Sequence, residues 1–287
     1  NDETPLAGKR LLLVGEQGLG DEVLFGSILP DVLAALGPAG KLTLYVEPRL
    51  VPLFRRSFPQ AEVAGHRTVK KGGRHYRALP DLDAAAVDHW APMGDLLRLS
   101  RRGIEDFPAA NPFLRPQADR VAHWRSEFAG KPGLKVGLLW TSMAMKASRK
   151  RHYATFEDWA PVLRTPGVTF VNLQYGDCSA EIAAAREQYG VDILQPQGVD
   201  LKLDLDEVAV LCSAVDLVIG PANATSNLAG AAGAPLWLLS PPRFWTRLGT
   251  DRFPWYPQTR VFSPADSASW TPLLEEVATA LAQEAVR

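Results

Sequence analysis

The chain has 287 residues, is 46% hydrophobic and 22% charged, and carries 31 Lys and Arg against 32 Asp and Glu. That is enough for one large domain or two moderate ones with a real core. The net charge of −1 gives no bulk argument for nucleic acid or an anionic membrane as partner. The two cysteines, Cys178 and Cys212, form no CxxC pair, so zinc sites and disulfide frameworks lack support and a cytoplasmic location is expected. No apolar run approaches the ~20 residues that span a bilayer, and no signal peptide is visible. The first residue is Asn1, not Met, so a piece of a longer protein is expected.

In chain order, the first half offers strands at Arg10–Val14, Leu42–Val46, Ala61–Ala64 and Leu79–Asp83. Helices are expected at Asp21–Leu36 and Met93–Ser100. The second half offers strands at Val136–Trp140, Val168–Gln174, Val191–Leu194, Leu217–Gly220, Leu236–Leu239 and Arg260–Phe262. Helices are expected there at Ala118–Phe128, Phe156–Leu163, Ala180–Tyr189, Leu205–Ala214, Ala224–Ala232 and Pro272–Ala285. This alternation predicts parallel sheets covered on both faces. It breaks at the proline-rich "FPAANPFLRP" and at "GKPG". The expectation is an α/β protein with a first domain at 1–115, a linker at 116–133 and a second domain at 134–287, the last helix packing back on the first domain. Ligands of two such domains would bind at the carboxyl ends of their strands, around a shared cleft.

Four stretches carry candidate chemistry. "GEQGLGD" follows the first strand, but its glycines (Gly15, Gly18, Gly20) fit neither GxGxxG nor GxxxxGK[ST]. Asp21 and Glu22 stand where a phosphate loop has Lys and Ser or Thr, and two acids repel a triphosphate. Asp21 reads either as a helix cap or as a carboxylate that accepts a proton from a hydroxyl. "PANATSN", at Pro221–Asn227, ends a strand and opens a helix of small residues. Such a start, with the Thr225 and Ser226 hydroxyls, is either an anion site or an ordinary capped turn. A strand end at Trp140, Thr141 and Ser142 leads into a loop with Lys146, Arg149, Lys150 and Arg151. That loop is either a diphosphate clamp or a solvated surface. Gln174, in "NLQYGD", ends a strand and is either a nucleoside contact or a turn residue. The five histidines show no metal-ligand spacing, and there is no GxSxG.

Taken together, "GKRLLLVGEQGLGDEVLFGSILP", the Trp-Thr-Ser strand end with its basic loop, "HYATFEDWAPVL", "PGVTFVNLQYGD" and "NLAGAAGAPLWLL" resemble a known family. It is the glycosyltransferase region of bacterial tetratricopeptide-repeat proteins. That region is similar to lipopolysaccharide heptosyltransferases and more distantly to O-linked N-acetylglucosamine transferases. The resemblance covers nearly the whole chain. It implies a GT-B fold of two Rossmann-like domains, no metal or cofactor, and a nucleotide-sugar donor held mainly by the second domain. The acceptor, a hydroxyl of a protein or a cell-surface glycan, would face the first domain. The same resemblance implies tetratricopeptide repeats upstream.

By position, the resemblance implies Asp21 as general base, Arg151 as a donor-phosphate contact and the turn Asn223, Ala224, Thr225, Ser226 and Asn227 as the diphosphate-binding helix start. Beside these, Thr141, Ser142, Arg149 and Gln174 are expected as donor contacts and Glu16, Gln17, Gly18 and Gly20 as the acceptor-side loop. The heptosyltransferase pattern D-T-A-x-x-H-L-A is altered: Ala222 replaces its Asp and Asn227 its His. The rival expectation is therefore a GT-B-like shell that binds a nucleotide or a protein without catalysis.

Overall fold

The computed structural model describes residues 5–108, 112–141, 153–264 and 270–286. They fall into two compact units, Asn1–Arg115 and Pro116–Arg287.

The first unit runs β1 (Arg10–Val14), α1 (Leu19–Phe25), α2 (Leu29–Leu36), β2 (Lys41–Val46), α3 (Val51–Ser57) and β3 (Ala61–Gly65). It continues with β4 (Arg67–Lys71), β5 (Arg74–Ala78), β6 (His89–Pro92) and α4 (Leu97–Ser100). Its four-stranded sheet is parallel, in the order β3-β2-β1-β6. Leu11, Leu12 and Leu13 are all buried, as a strand covered on both faces requires. Val23, Ile28, Leu44, Leu53 and Phe54 complete the core around them.

Three expectations change here. The helix read from Asp21 to Leu36 is two helices joined by a tight turn at Gly26–Ile28. Pro30 lies in the first turn of α2, where its missing N–H costs nothing. Gly26 lets the chain pass the Phe54 and Phe113 rings, which a Cβ would meet at 3.2–3.3 Å. The expected strand at Leu79–Asp83 is loop; the strand beside β1 is β6, too short and exposed to show in the hydropathy pattern. Before it, β4 and β5 form an antiparallel hairpin turning on Gly72 and Gly73. Both have positive φ, 57° and 75°, the geometry that two-residue hairpin turns demand.

The second unit runs α5 (Ala118–Ala129), β7 (Leu134–Leu138), α6 (Ala160–Leu163), β8 (Val168–Asn172), α7 (Ser179–Tyr189) and α8 (Leu205–Ala214). It closes with β9 (Leu217–Pro221), α9 (Ala224–Ala231), β10 (Leu236–Leu239), β11 (Thr259–Phe262) and α10 (Thr271–Ala285). Its parallel sheet has the order β11-β10-β9-β7-β8. The expected strand at Val191–Leu194 reduces to one bridge between Leu194 and Val171.

The segment read as a linker contains α5, which belongs to the second unit. Trp124 and Phe128 are buried, and Glu207 of α8 accepts hydrogen bonds from Arg120 (2.6 Å) and Trp124 (2.5 Å). The last helix, expected to pack back on the first domain, lies within the second unit and contributes to its core. Leu273, Leu274, Val277 and Leu281 join Trp159, Val162 and Leu163 there.

Each sheet reverses its strand order once. In the first unit the chain builds outward from β1 to β3 and then returns to place β6 on β1's other side. In the second it places β8 on one side of β7 and β9 on the other. Crevices at the carboxyl ends of such strand pairs are where open α/β sheets bind ligands.

Candidate functional site

The glycine loop leaves β1 at the first unit's reversal. Glu16 crosses it: one carboxylate oxygen accepts from Gly94 N–H at 3.0 Å, just beyond β6. Burial raises the Glu16 carboxyl above the usual range, with the charges of Asp95 and Asp21 adding and the Gly94 hydrogen bond opposing. Gln17 has φ 61°, a left-handed conformation uncommon for a residue with a side chain. Its carbonyl accepts from the Arg77 guanidinium at 2.9 Å. Asp21 is in the first turn of α1, and its carboxylate accepts from Gly18 N–H at 3.1 Å. It therefore caps the helix start by satisfying the Gly18 N–H.

Sequence reasoning missed the acid beside it. Glu22 is 1% exposed, and His66 donates or shares a proton with it at 2.8 Å. Glu47 N–H donates to its second oxygen at 2.6 Å, and Arg77 lies 3.6 Å away. The absence of a side chain at Gly15 follows from this, since a Cβ there would meet the Glu22 carboxylate at 2.5 Å. The available signal was an acid within the apolar run "EVLFGSIL".

In the second unit, Asn223 bridges the reversal. It caps α9 by accepting from Ser226 N–H (3.1 Å), while its amide donates to the Thr141 carbonyl (3.5 Å) beyond β7. The Ser226 hydroxyl donates to the Pro221 carbonyl and accepts from Asn223 N–H (3.3 Å). Ser226 is thus a turn-building residue, with its hydroxyl directed inward rather than toward a phosphate. Thr225 is also buried, whereas Ala224 and Asn227 are half-buried. The first N–H groups of α9 have no intrahelical acceptor, as at every helix start. Near the small Ala224 side chain, they form the approachable part of this turn.

Gln174 is 2% exposed, and its side-chain oxygen accepts from Trp140 N–H (3.1 Å) and Thr141 N–H (2.9 Å). Its amide donates to the Tyr175 carbonyl (3.1 Å). Both oxygen lone pairs and one of two N–H groups are thereby engaged, so Gln174 positions the end of β7. Ser142, Arg149 and Arg151 lie outside the described residues.

A cavity of about 1240 Å³ opens beside the carboxyl end of β8, with Asn172, Asp177, Ser179, Gln195, Asp200 and Lys202 in its wall. The Ser179 hydroxyl and N–H hold the Asp177 carboxylate below its usual range. Burial pushes the neighbouring Cys178 thiol up, so it is no ready thiolate. Among the described residues, no cluster of three His, Cys, Asp or Glu could hold a metal, and no helix is long and apolar enough to cross a membrane.

Two parallel α/β units with ligand-ready reversals match several solved glycosyltransferases. E. coli ADP-heptose LPS heptosyltransferase II aligns over 96% of this chain and 99% of its own, with a TM-score of 0.62 and 17% identity. The fold is GT-B. A glycosyl transferase family 9 structure from Veillonella parvula covers 98% of this chain and 91% of its own at TM-score 0.60 and 13% identity. E. coli heptosyltransferase WaaC with ADP gives 96% and 98% at TM-score 0.56 and 14% identity. In sequence, Protein FlbA of Caulobacter vibrioides is 54% identical over 278 residues, 96% of this chain. The chain spans only 47% of that relative's length. No protein-family model matches.

Proposed function

We propose that this GT-B chain is a metal-independent glycosyltransferase moving a sugar from a nucleotide-diphosphate donor to a hydroxyl of a protein or glycan. The observation that carries this reading is the start of α9 at the second unit's strand reversal, bound to the end of β7 through Asn223. A diphosphate at that start would meet the N–H groups of Ala224 and Thr225. Arg149 and Arg151, a few residues beyond Thr141 in sequence, would add charge. The nucleoside would take the cavity beside β8, whose mixed polar wall suits a ribose and a base.

On the first unit, Asp21 is the general base. Its carboxylate accepts the acceptor's hydroxyl proton as the oxygen bonds to the anomeric carbon and the sugar–phosphate bond breaks. The nucleoside diphosphate leaves with its new charge facing α9. Asp21→Asn keeps a capping side chain and removes the base, so turnover falls by about 10²–10⁴ with the fold intact. Unchanged turnover in that variant would exclude the role. Recruitment of a protein acceptor by tetratricopeptide repeats in a longer cytoplasmic chain extends the proposal and rests on the sequence resemblance.

The second reading, a binding module without catalysis, is favoured by the engagement of Asp21 as a cap and by Ala222 and Asn227 at altered positions. Thermal unfolding with UDP, GDP, ADP and CMP compounds separates the two. A ligand of the native state raises the midpoint, and release or transfer of its sugar marks the enzyme. A nucleotide response without sugar release favours the module, and no response to any nucleotide removes donor binding altogether.

A further inference from the structure

The first unit has a second concavity that the transfer chemistry leaves unexplained. Leu12 and Val14 of β1 pair in register with Trp90 and Pro92 of β6, so these four residues share one face of the sheet. The chain over this face, residues 79–88, holds a single short turn at Ala84–Ala86 in place of a helix. A cavity of about 570 Å³ remains between strap and sheet. Trp90 is left 68% exposed at its edge. The strap is anchored at both ends. Tyr45 donates to the Pro80 carbonyl (2.5 Å), and Asp88 holds the Arg10 guanidinium (2.7 Å). The wall is aliphatic apart from Trp90 and the polar groups of Glu16, Arg77, His89 and Asp88, the last already ion-paired with Arg10.

Arg77 also belongs to the β4–β5 hairpin. That hairpin carries Arg67, Lys70, Lys71, Arg74 and Arg77, and no Asp or Glu occurs from residue 63 to residue 80 of a chain whose net charge is −1. All of β4 is exposed. A concentrated positive field thus borders an apolar pocket that begins at the glycine loop.

We infer that this pocket anchors the acceptor by a large apolar side chain of an acidic polypeptide segment. This rests on the transferase reading and names its acceptor class. A polyhydroxylated sugar would leave its hydroxyls unpaired against Leu12, Val14, Leu82 and Val87. A lipid acyl chain would leave the Glu16 and Arg77 groups of the rim without hydrogen-bond partners in the ligand. A peptide amide instead needs one acceptor and one donor, which Glu16 and Arg77 supply at the same rim. The volume lies within the ~300–1,000 Å³ of ligand pockets, and acidic flanking residues complement the hairpin.

The test uses the whole chain with methyl-labelled Leu and Val, without donor. Capped peptides Glu-Leu-Ser-Glu and Glu-Ala-Ser-Glu are titrated in parallel. Burying the leucine gives ~10-fold or greater preference, with shifts at Leu12, Val14, Leu82 and Val87. Ala84→Phe, on the exposed turn, fills the pocket and cancels the preference while the unfolding midpoint holds. A Gln-Leu-Ser-Gln peptide binds more weakly and with less salt dependence. Equal affinities, shifts confined to other methyls, a preference that survives Ala84→Phe, or anionic vesicles that displace the peptide would each overturn the proposal. The nucleotide thermal shift on the same protein reports separately on the transferase reading. Peptide preference without a nucleotide response keeps the pocket and removes the transfer.

Discussion

Glu22→Ala is expected to unfold the glycine loop's support, whereas its neighbour Asp21 tolerates change. Glu22 is 1% exposed, bonds to His66 at 2.8 Å and Glu47 N–H at 2.6 Å, and has the Arg77 guanidinium 3.6 Å away as an ion-pair partner. Among the described residues, the other ring nitrogen of His66, Nδ1, is buried without a partner, so Glu22 provides that ring's fixed contact. Alanine leaves a buried N–H and an imidazole without their acceptor and opens a hole beneath Gly15. Breaking a buried pair of this kind costs about 3–5 kcal/mol, a large share of the ~5–15 kcal/mol that a domain has. Gln keeps the shape and one acceptor, so Glu22→Gln costs about 1–2 kcal/mol.

Urea unfolding followed by circular dichroism measures both losses as shifts in midpoint. Seven of the eight tryptophans lie in the second unit, so fluorescence follows that unit and serves as internal control. Hydrogen exchange should lose protection in β1, β2 and the loop before β4. A Glu22→Ala loss below about 1 kcal/mol, or exchange that rises only in the second unit, would refute the assignment.

Gly230→Ala raises helix propensity yet destabilises, because a Cβ would meet the Tyr256 ring at 2.2 Å. Overpacking there costs about 1–3 kcal/mol in thermal or urea unfolding. Asn223→Ala removes the α9 cap and the link to Thr141, which lowers stability by about 1 kcal/mol and weakens any nucleotide-induced thermal shift. For Glu16, burial raises the folded-state carboxyl above 4.5. Its proton then favours the folded state, and that contribution fades as pH rises from 4.5 through the folded value. Glu16→Gln lacks this loss, so urea midpoints measured across the acid-to-neutral range should show the variant gaining on the wild type as pH rises.

Both parallel sheets were legible from alternating apolar runs, because strands covered on two faces read as continuous Val, Ile and Leu. β6 and the β4–β5 hairpin were not. Trp90 and all of β4 are exposed, so neither leaves an apolar run, although "KKGG" signalled the turn. The positions of Asp21 and Asn223 at helix starts and of Gln174 beyond a strand end were readable, but not their hydrogen-bond partners. Gln174 reaches Trp140 and Thr141, 34 and 33 residues away, through sheet pairing that no local pattern encodes. Glu22 was overlooked because its partners, Glu47 and His66, lie just past the ends of β2 and β3, brought to it only by the fold.

With α5 and α10 both in the second unit, the backbone passes between the units once, at Arg115–Pro116. The peptide nitrogen at that seam belongs to a proline and carries no hydrogen, so severing the bond removes no amide donor. The preceding residue stays bound to its own unit through Ser57 and Arg56. A chimera joined with a relative at that peptide bond would divide neither sheet.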